Sequence, residues 1–139
     1  MIWTLHIQLL WGRWAEGEWA ATLALDGSST LEDLHFLILK AIGFDNDHLY
    51  SFFVARTPRS HPRVLYDEES DRLPWETTLD SLFPLPQARK LFYLFDYGDS
   101  WTFQISRSRK KPFVAEPGGA YPRLIAETGK RPEQYPCFE

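Results

Sequence analysis

The sequence predicts an α+β domain, a mixed β-sheet with one main helix packed on one face. Three observations carry this. Trp3–Trp11 and Trp101–Ser106 alternate apolar and polar residues, the period of a strand with one wet face. Residues 31–42 carry an apolar stripe at helical spacing behind a capping signal. Leu91–Phe95 is apolar at every position, as expected of a central strand buried on both faces. At 139 residues the chain is one domain, 1–139, with no repeat and no linker long enough to divide it.

In chain order, Trp3, Leu5, Ile7, Leu9 and Trp11 share one face of the first strand. Gly12–Gly17 reads as a turn, and Glu18–Leu25 follows with Trp19, Ala21, Leu23 and Leu25 inward, completing a hairpin. Asp26-Gly27 breaks that strand. Ser29-Thr30-Leu31-Glu32 fits a capping box with Ser29 as the cap. The helix runs from about Leu31 to Ile42 through Leu31, Leu34, Leu37, Ile38, Ala41 and Ile42, and Gly43 is its stop. Leu49–Ala55 is a third strand, and Arg56–Arg63, with two prolines, an exposed loop. Val64–Tyr66 is a short strand, followed by the acidic run Asp67-Glu68-Glu69-Ser70-Asp71. Thr78 caps a single helical turn that Pro84 and Pro86 end. Leu91–Ser106 is then a hairpin about Asp96-Tyr97-Gly98-Asp99-Ser100. Here Gly98 is the residue free to adopt a positive φ, and Asp96 caps the turn with its carboxylate. Tyr121–Ala126 reads as a further short strand, and 129–139 as irregular chain. A leading hairpin, a helix across it, then more strands is the element order of a β-grasp (ubiquitin-like) arrangement with extra strands.

Composition narrows the function classes. Single Cys137 permits neither an internal disulfide nor a thiolate metal cluster. The N-terminus lacks a basic leader, and its apolar run is broken by His6 and Gln8. Neither signal peptide nor membrane span is expected, and the cytoplasm is the default location. Net charge is −4, divided unevenly: residues 1–86 hold six basic and thirteen acidic side chains, residues 87–139 nine basic and six acidic. The C-terminal part suits an acidic partner. Overall acidity speaks against strong non-specific binding to nucleic acid, which rests on neutralising phosphates.

Several stretches, in order, resemble the plasmid pRiA4b ORF-3-like family. The hairpin, Phe92-Tyr93-Leu94-Phe95-Asp96-Tyr97-Gly98-Asp99-Ser100-Trp101-Thr102-Phe103-Gln104-Ile105, is similar to that family's Y-x-Y-D-F-G-D-x-W-x-H-x-I. Asp96, Gly98, Asp99 and Trp101 align. Thr30-Leu31-Glu32-Asp33-Leu34-His35 and Gly43-Phe44-Asp45-Asn46-Asp47-His48-Leu49-Tyr50 resemble its T-L-x-x-L-H and G-W-x-x-x-H-L-H. Thr78–Leu82, Tyr121-Pro122, Gly129 and Pro132-Glu133 match in turn. The resemblance implies a β-grasp-related α+β domain found on plasmids and near mobile elements, and it brings no biochemical activity with it. Two of the family's histidines are Tyr50 and Phe103 here, so a histidine–carboxylate site shared by the family is incomplete in this chain.

The candidate site is therefore His35, Asp47, His48, Asp96, Gly98, Asp99 and Trp101. Set against cation or acid–base chemistry by His35, His48, Asp96 and Asp99 stands a plainer account, in which the aspartates build a turn and His35 bonds a loop. No metal or cofactor is expected. Arg107, Arg109, Lys110 and Lys111, with Arg56, Arg59 and Arg63, form a candidate phosphate patch, although solvated loops explain them equally. Trp11, Trp19 and Trp101 sit at inward strand positions and belong to the core, leaving Trp14 and Trp75 as interface candidates. The leading expectation is a small non-enzymatic module acting through an unidentified protein partner, with a mobile-element setting. The second is a nucleic-acid-binding accessory protein, and the third a metal-dependent hydrolase.

Overall fold

A computed structural model of the chain describes residues 1–137. Positions 138 and 139 of the expected irregular tail lie outside the described residues. The elements are β1 Ile2–Trp11, β2 Trp19–Asp26, α1 Leu31–Ile42, β3 Tyr50–Ala55, β4 Val64–Tyr66, a 3-10 turn Pro74–Glu76, α2 Leu79–Leu82, β5 Lys90–Phe95, β6 Trp101–Arg107 and β7 Arg123–Gly129. The strands form one seven-stranded sheet in the order β4-β3-β5-β6-β1-β2-β7.

Every pairing in that sheet is antiparallel, so the mixed sheet expected from element order is corrected. The first strand meets the second half through β6 running opposite to it. Element order alone does not fix that direction. The architecture is an antiparallel seven-stranded sheet with one main helix, and it does not by itself establish a β-grasp.

One sheet face packs on α1. Trp3, Leu5, Ile7 and Leu9 of β1 are buried, as are Trp19, Ala21, Leu23 and Leu25 of β2 and Trp101, Phe103 and Ile105 of β6. All but Trp3, which packs on Phe83, meet Leu31, Leu34, Ile38 and Ile42 of the helix in one apolar core. The central strand β5 is buried on both sides. Leu91, Tyr93 and Phe95 join the main core, while Phe92 packs with Phe53 and Ala55 on the other face. The Arg63 guanidinium covers that smaller cluster, 4.3 Å from the Phe53 ring centre.

The helix spans Leu31–Ile42 as expected, but its cap lies one residue later than the capping signal suggested. Thr30, not Ser29, is the cap: its hydroxyl accepts from the Asp33 N–H, and the Asp33 carboxylate accepts from the Thr30 N–H. Ser29 is committed elsewhere, its carbonyl accepting from Leu79 N–H, while Leu31 N–H donates to Thr77. Thr30 and Thr78 form an isolated bridge, so the starts of α1 and α2 are tied together. Gly43 ends the helix with φ 82°, and Thr78 caps α2.

Trp11 departs from the expected core. The β1–β6 register runs Leu9↔Phe103 and then Trp11↔Thr102, so two residues of β1 advance against one of β6. This bulge reverses the inside–outside alternation. Trp11 emerges 54% exposed, beside exposed Leu10, on the face away from the helix. Trp19 and Trp101 are fully buried; Trp14 packs partly against the core, and Trp75 lies exposed on the 3-10 turn.

Candidate functional site

Three segments converge at one end of the sheet: α1 with the chain after it, the β5–β6 turn, and a C-terminal stretch at 134–135. The turn follows from residue chemistry. Asp96 adopts φ 63°, and its Oδ1 accepts from the N–H groups of Gly98 and Asp99. Positive φ falls on Asp96 and Ser100 rather than on Gly98, because Asp tolerates this region when its carboxylate bonds the local backbone. The Asp96 N–H donates to the Leu49 carbonyl, which fastens the turn to the start of β3.

The turn is docked by its neighbours. The Asp99 carbonyl accepts from Arg13 N–H, and Arg13 Nη1 lies 3.7 Å from Asp99 Oδ1. The Trp101 ring stands edge-on to Phe44 at 4.8 Å between centres. Its face lies against Gly12, where an added Cβ would come within 2.1 Å of the ring. Asp96, Gly98, Asp99 and Trp101 thus build and anchor a hairpin.

His35 and His48 each pack against Phe95, with ring centres 6.0 Å from it. His35 is sealed in the core. Its Nε2 lies 3.0 Å from Asn46 Oδ1, an acceptor, so that nitrogen carries the proton and Nδ1 accepts from the Tyr93 hydroxyl. Tyr50 stacks on the ring at 3.6 Å. Burial lowers the His35 pKa to about 4, so the imidazole is neutral.

His48 is half-exposed and sits among oxygens. Its Nε2 is 3.3 Å from Asp96 Oδ2, 3.8 Å from Asp47 Oδ1 and 2.7 Å from the Tyr135 hydroxyl. The Tyr135 hydroxyl donates a hydrogen bond to Asp47 Oδ2 at 2.7 Å and therefore accepts from His48. Desolvation first, and Asp47 second, push the Tyr135 phenol up. Gln134 completes the cluster, exchanging two hydrogen bonds with the Asp45 backbone and donating to Asp47. Sequence reasoning missed Gln134 and Tyr135, because no local pattern marks a side chain that bonds a loop some ninety positions away.

The seven candidates are thus divided. Asp47, His48 and Asp96 gather; His35 has its own buried network; Asp99 turns to Arg13; and Gly98 and Trp101 are structural. Among the described residues no group of three or more His, Cys, Asp or Glu side chains is disposed to hold a metal ion. The His48–Asp96 pair can exchange a proton, but Asp96 Oδ1 is spent on the turn and its side chain is only 7% exposed.

The basic candidates do not form one patch. The Arg107 guanidinium lies over Trp3 at 4.7 Å and Phe83 at 5.6 Å, while Arg109, Lys110 and Lys111 stay in solvent. Arg63 is fixed by bonds to the Ser60 and Pro58 carbonyls. Arg59 and Arg63 line a groove on the helix-free face together with Leu10, Trp11, Phe53 and Leu94. Its volume is about 660 Å³, and among the described residues no carboxylate lines it. No helix among the described residues is long and apolar enough to cross a membrane.

Comparison with known proteins places this geometry in a family. Residues 13–134 match the family described as plasmid pRiA4b ORF-3-like protein. The chain belongs to the plasmid pRiA4b ORF-3-like family. It is 33% identical over 107 residues to the uncharacterized protein y4hQ of Sinorhizobium fredii (strain NBRC 101917 / NGR234). That match covers 75% of this chain and 52% of the relative, so this member spans about half the length of the curated protein it matches. The crystal structure of MM3350, a protein of unknown function from Methanosarcina mazei Go1, superposes with a TM-score of 0.74. Identity is 19%, over 94% of this chain and 70% of that one, and the likeness speaks for the fold alone. Nothing in these relatives points to an enzymatic activity.

Proposed function

We propose that this member of the pRiA4b ORF-3-like family is a non-enzymatic module that binds a protein partner on the helix-free face of its sheet. One observation carries the reading. A β-bulge turns Trp11 out of the core into a groove floored by Phe53 and Leu94 and edged by Arg59 and Arg63. Displacing a Trp from the core forfeits the burial of a large ring, on the order of 2–3 kcal/mol. Exposed Trp and Arg side by side are the residue types that anchor protein interfaces. The absence of lining carboxylates suits a segment that brings an apolar side chain flanked by Asp or Glu. A cytoplasmic, mobile-element setting and a β-grasp kinship of the fold belong to the same reading.

A selection of displayed random peptides against the whole protein tests it. Enriched peptides are expected to combine an aromatic or aliphatic residue with Asp or Glu, and Trp11→Ala is expected to weaken them at least about tenfold. Peptides that bind Trp11→Ala as tightly as wild type overturn the reading. Salt-sensitive retention of a single-stranded oligothymidylate, with no peptide enriched, moves the function to the nucleic-acid alternative. The hydrolase alternative rests on His48 and Asp96 alone, and it gains ground only if a metal binds the wild type and not His48→Ala.

A further inference from the structure

At one side the sheet ends in β4, which among the described residues pairs only with β3. An edge strand leaves alternate N–H and C=O groups unpaired along its free side. Here that edge is apolar in the middle, with Val64 and Leu65 each 37% exposed. It is oppositely charged at its two ends. Arg56, Arg59 and Arg63 precede it, and Asp67, Glu68, Glu69 and Asp71 follow it. None of these seven takes part in an ion pair among the described residues.

The register decides what a neighbour would meet. Leu65 pairs with Phe53 and so lies on the Phe53 face. Alternation puts Arg63 and Asp67 on that same face, and Arg63 is seen there over the Phe53 ring. We propose that the β4 edge is a self-association surface, on which a second copy of this chain pairs antiparallel about a twofold axis at Leu65. By register position 63 then lies opposite the other copy's position 67, Leu65 opposite Leu65, and Val64 opposite Tyr66, and to reach the other copy's Asp67 the Arg63 guanidinium leaves the Pro58 and Ser60 carbonyls. A twofold contact is self-complementary by construction, and this charge order is complementary only in the antiparallel sense. In a parallel pairing each basic flank would meet a basic flank. A three-residue strand is itself a short, guarded edge, but its flanks carry opposite rather than like charge, which leaves an antiparallel copy attractive. Three residues make a short ladder, so the dimer is weak, with a Kd on the order of 100 μM, and sensitive to salt.

Sedimentation equilibrium at low salt tests the proposal with three proteins: wild type, Glu68→Lys/Glu69→Lys/Asp71→Lys, and Arg56→Glu/Arg59→Glu. Among the described residues these five side chains make no hydrogen bond. Wild type is expected to dimerise, and each variant alone to dimerise at least about tenfold more weakly. An equimolar mixture of the two variants is expected to recover the dimer as a heterodimer, since the reversed flanks are complementary again. Raising salt to about 0.5 M is expected to dissociate the wild-type dimer. A wild type that stays monomeric up to about 1 mM overturns the proposal, as does a dimer that neither variant weakens, or assembly beyond a dimer. Should a variant fail to fold by circular dichroism, Leu65→Lys at the axis decides the matter, and a dimer that tolerates it refutes the geometry. Trp11→Ala is expected to leave the dimer intact, which separates this edge from the apolar part of the peptide groove, with which it shares Arg59 and Arg63.

Discussion

His35 shows how one side chain makes folding depend on pH. In the folded chain burial holds its pKa near 4, against an ordinary 6.5. Above pH 6.5 neither state carries the proton. Between 6.5 and 4 the unfolded chain takes it up and the folded chain does not, so stability falls with pH across that window. Below 4 both states are protonated and the loss is complete. A shift of this size corresponds to about 3 kcal/mol at most. His35→Gln is expected to remove this part of the slope, so that urea midpoints measured from pH 6.5 to 4 fall less steeply than in wild type. Equal slopes would mean that the imidazole is charged inside the fold. The same residue marks how far sequence reading reaches. Its place beside the helix stripe was legible, whereas its partners Tyr93 and Asn46 lie on different elements and become visible only when the sheet closes.

At the scale of elements, strands and the helix were legible because each has its own period and punctuation. Leu91–Phe95 read as a central strand, and it is one. Trp11 and Ser29 mark where this reading ends, because in each case a partner element overrides the local pattern. The bulge against β6 inverts Trp11, and the backbone bonds from Leu79 to Ser29 and from Leu31 to Thr77 hold Thr30 extended, so the cap falls on Thr30. The overlapping patterns Ser29–Glu32 and Thr30–Asp33 look alike until those bonds are drawn. Outside the two hairpins strand direction was likewise undetermined, since both parallel and antiparallel neighbours suit alternating residues. The cap makes an element-level prediction. Thr30→Ala is expected to cost about 1 kcal/mol in urea unfolding, while Ser29→Ala, which keeps its backbone bonds, is expected to cost a few tenths. A larger loss from Ser29→Ala would return the cap to that residue.

At the scale of the whole molecule, the candidate site is held together by distant chain. The loop after α1 carries Asp45, Asn46, Asp47 and His48, and its own sequence gives it no regular structure. Gln134 supplies what is missing. Its amide accepts from Asp45 N–H at 2.7 Å and donates to the Asp45 carbonyl at 3.1 Å, much as a strand rung would. A third bond at 3.1 Å reaches Asp47, whose carboxylate also accepts from the Tyr135 hydroxyl. Gln134 is buried, so removing its amide leaves the Asp45 backbone groups unpaired. Gln134→Ala is expected to cost about 1–3 kcal/mol of stability and to speed hydrogen exchange at the Asp45 amide. Glu133→Ala, at an exposed neighbour, is expected to do neither. The position of His48 beside Asp96 follows from the same clasp, because Asp47 and Tyr135 approach its ring only while Gln134 holds the loop. Exchange at Asp45 that stays slow in Gln134→Ala would mean that the β5–β6 turn, through the Asp96–Leu49 bond, fixes the loop without help from the C-terminal stretch.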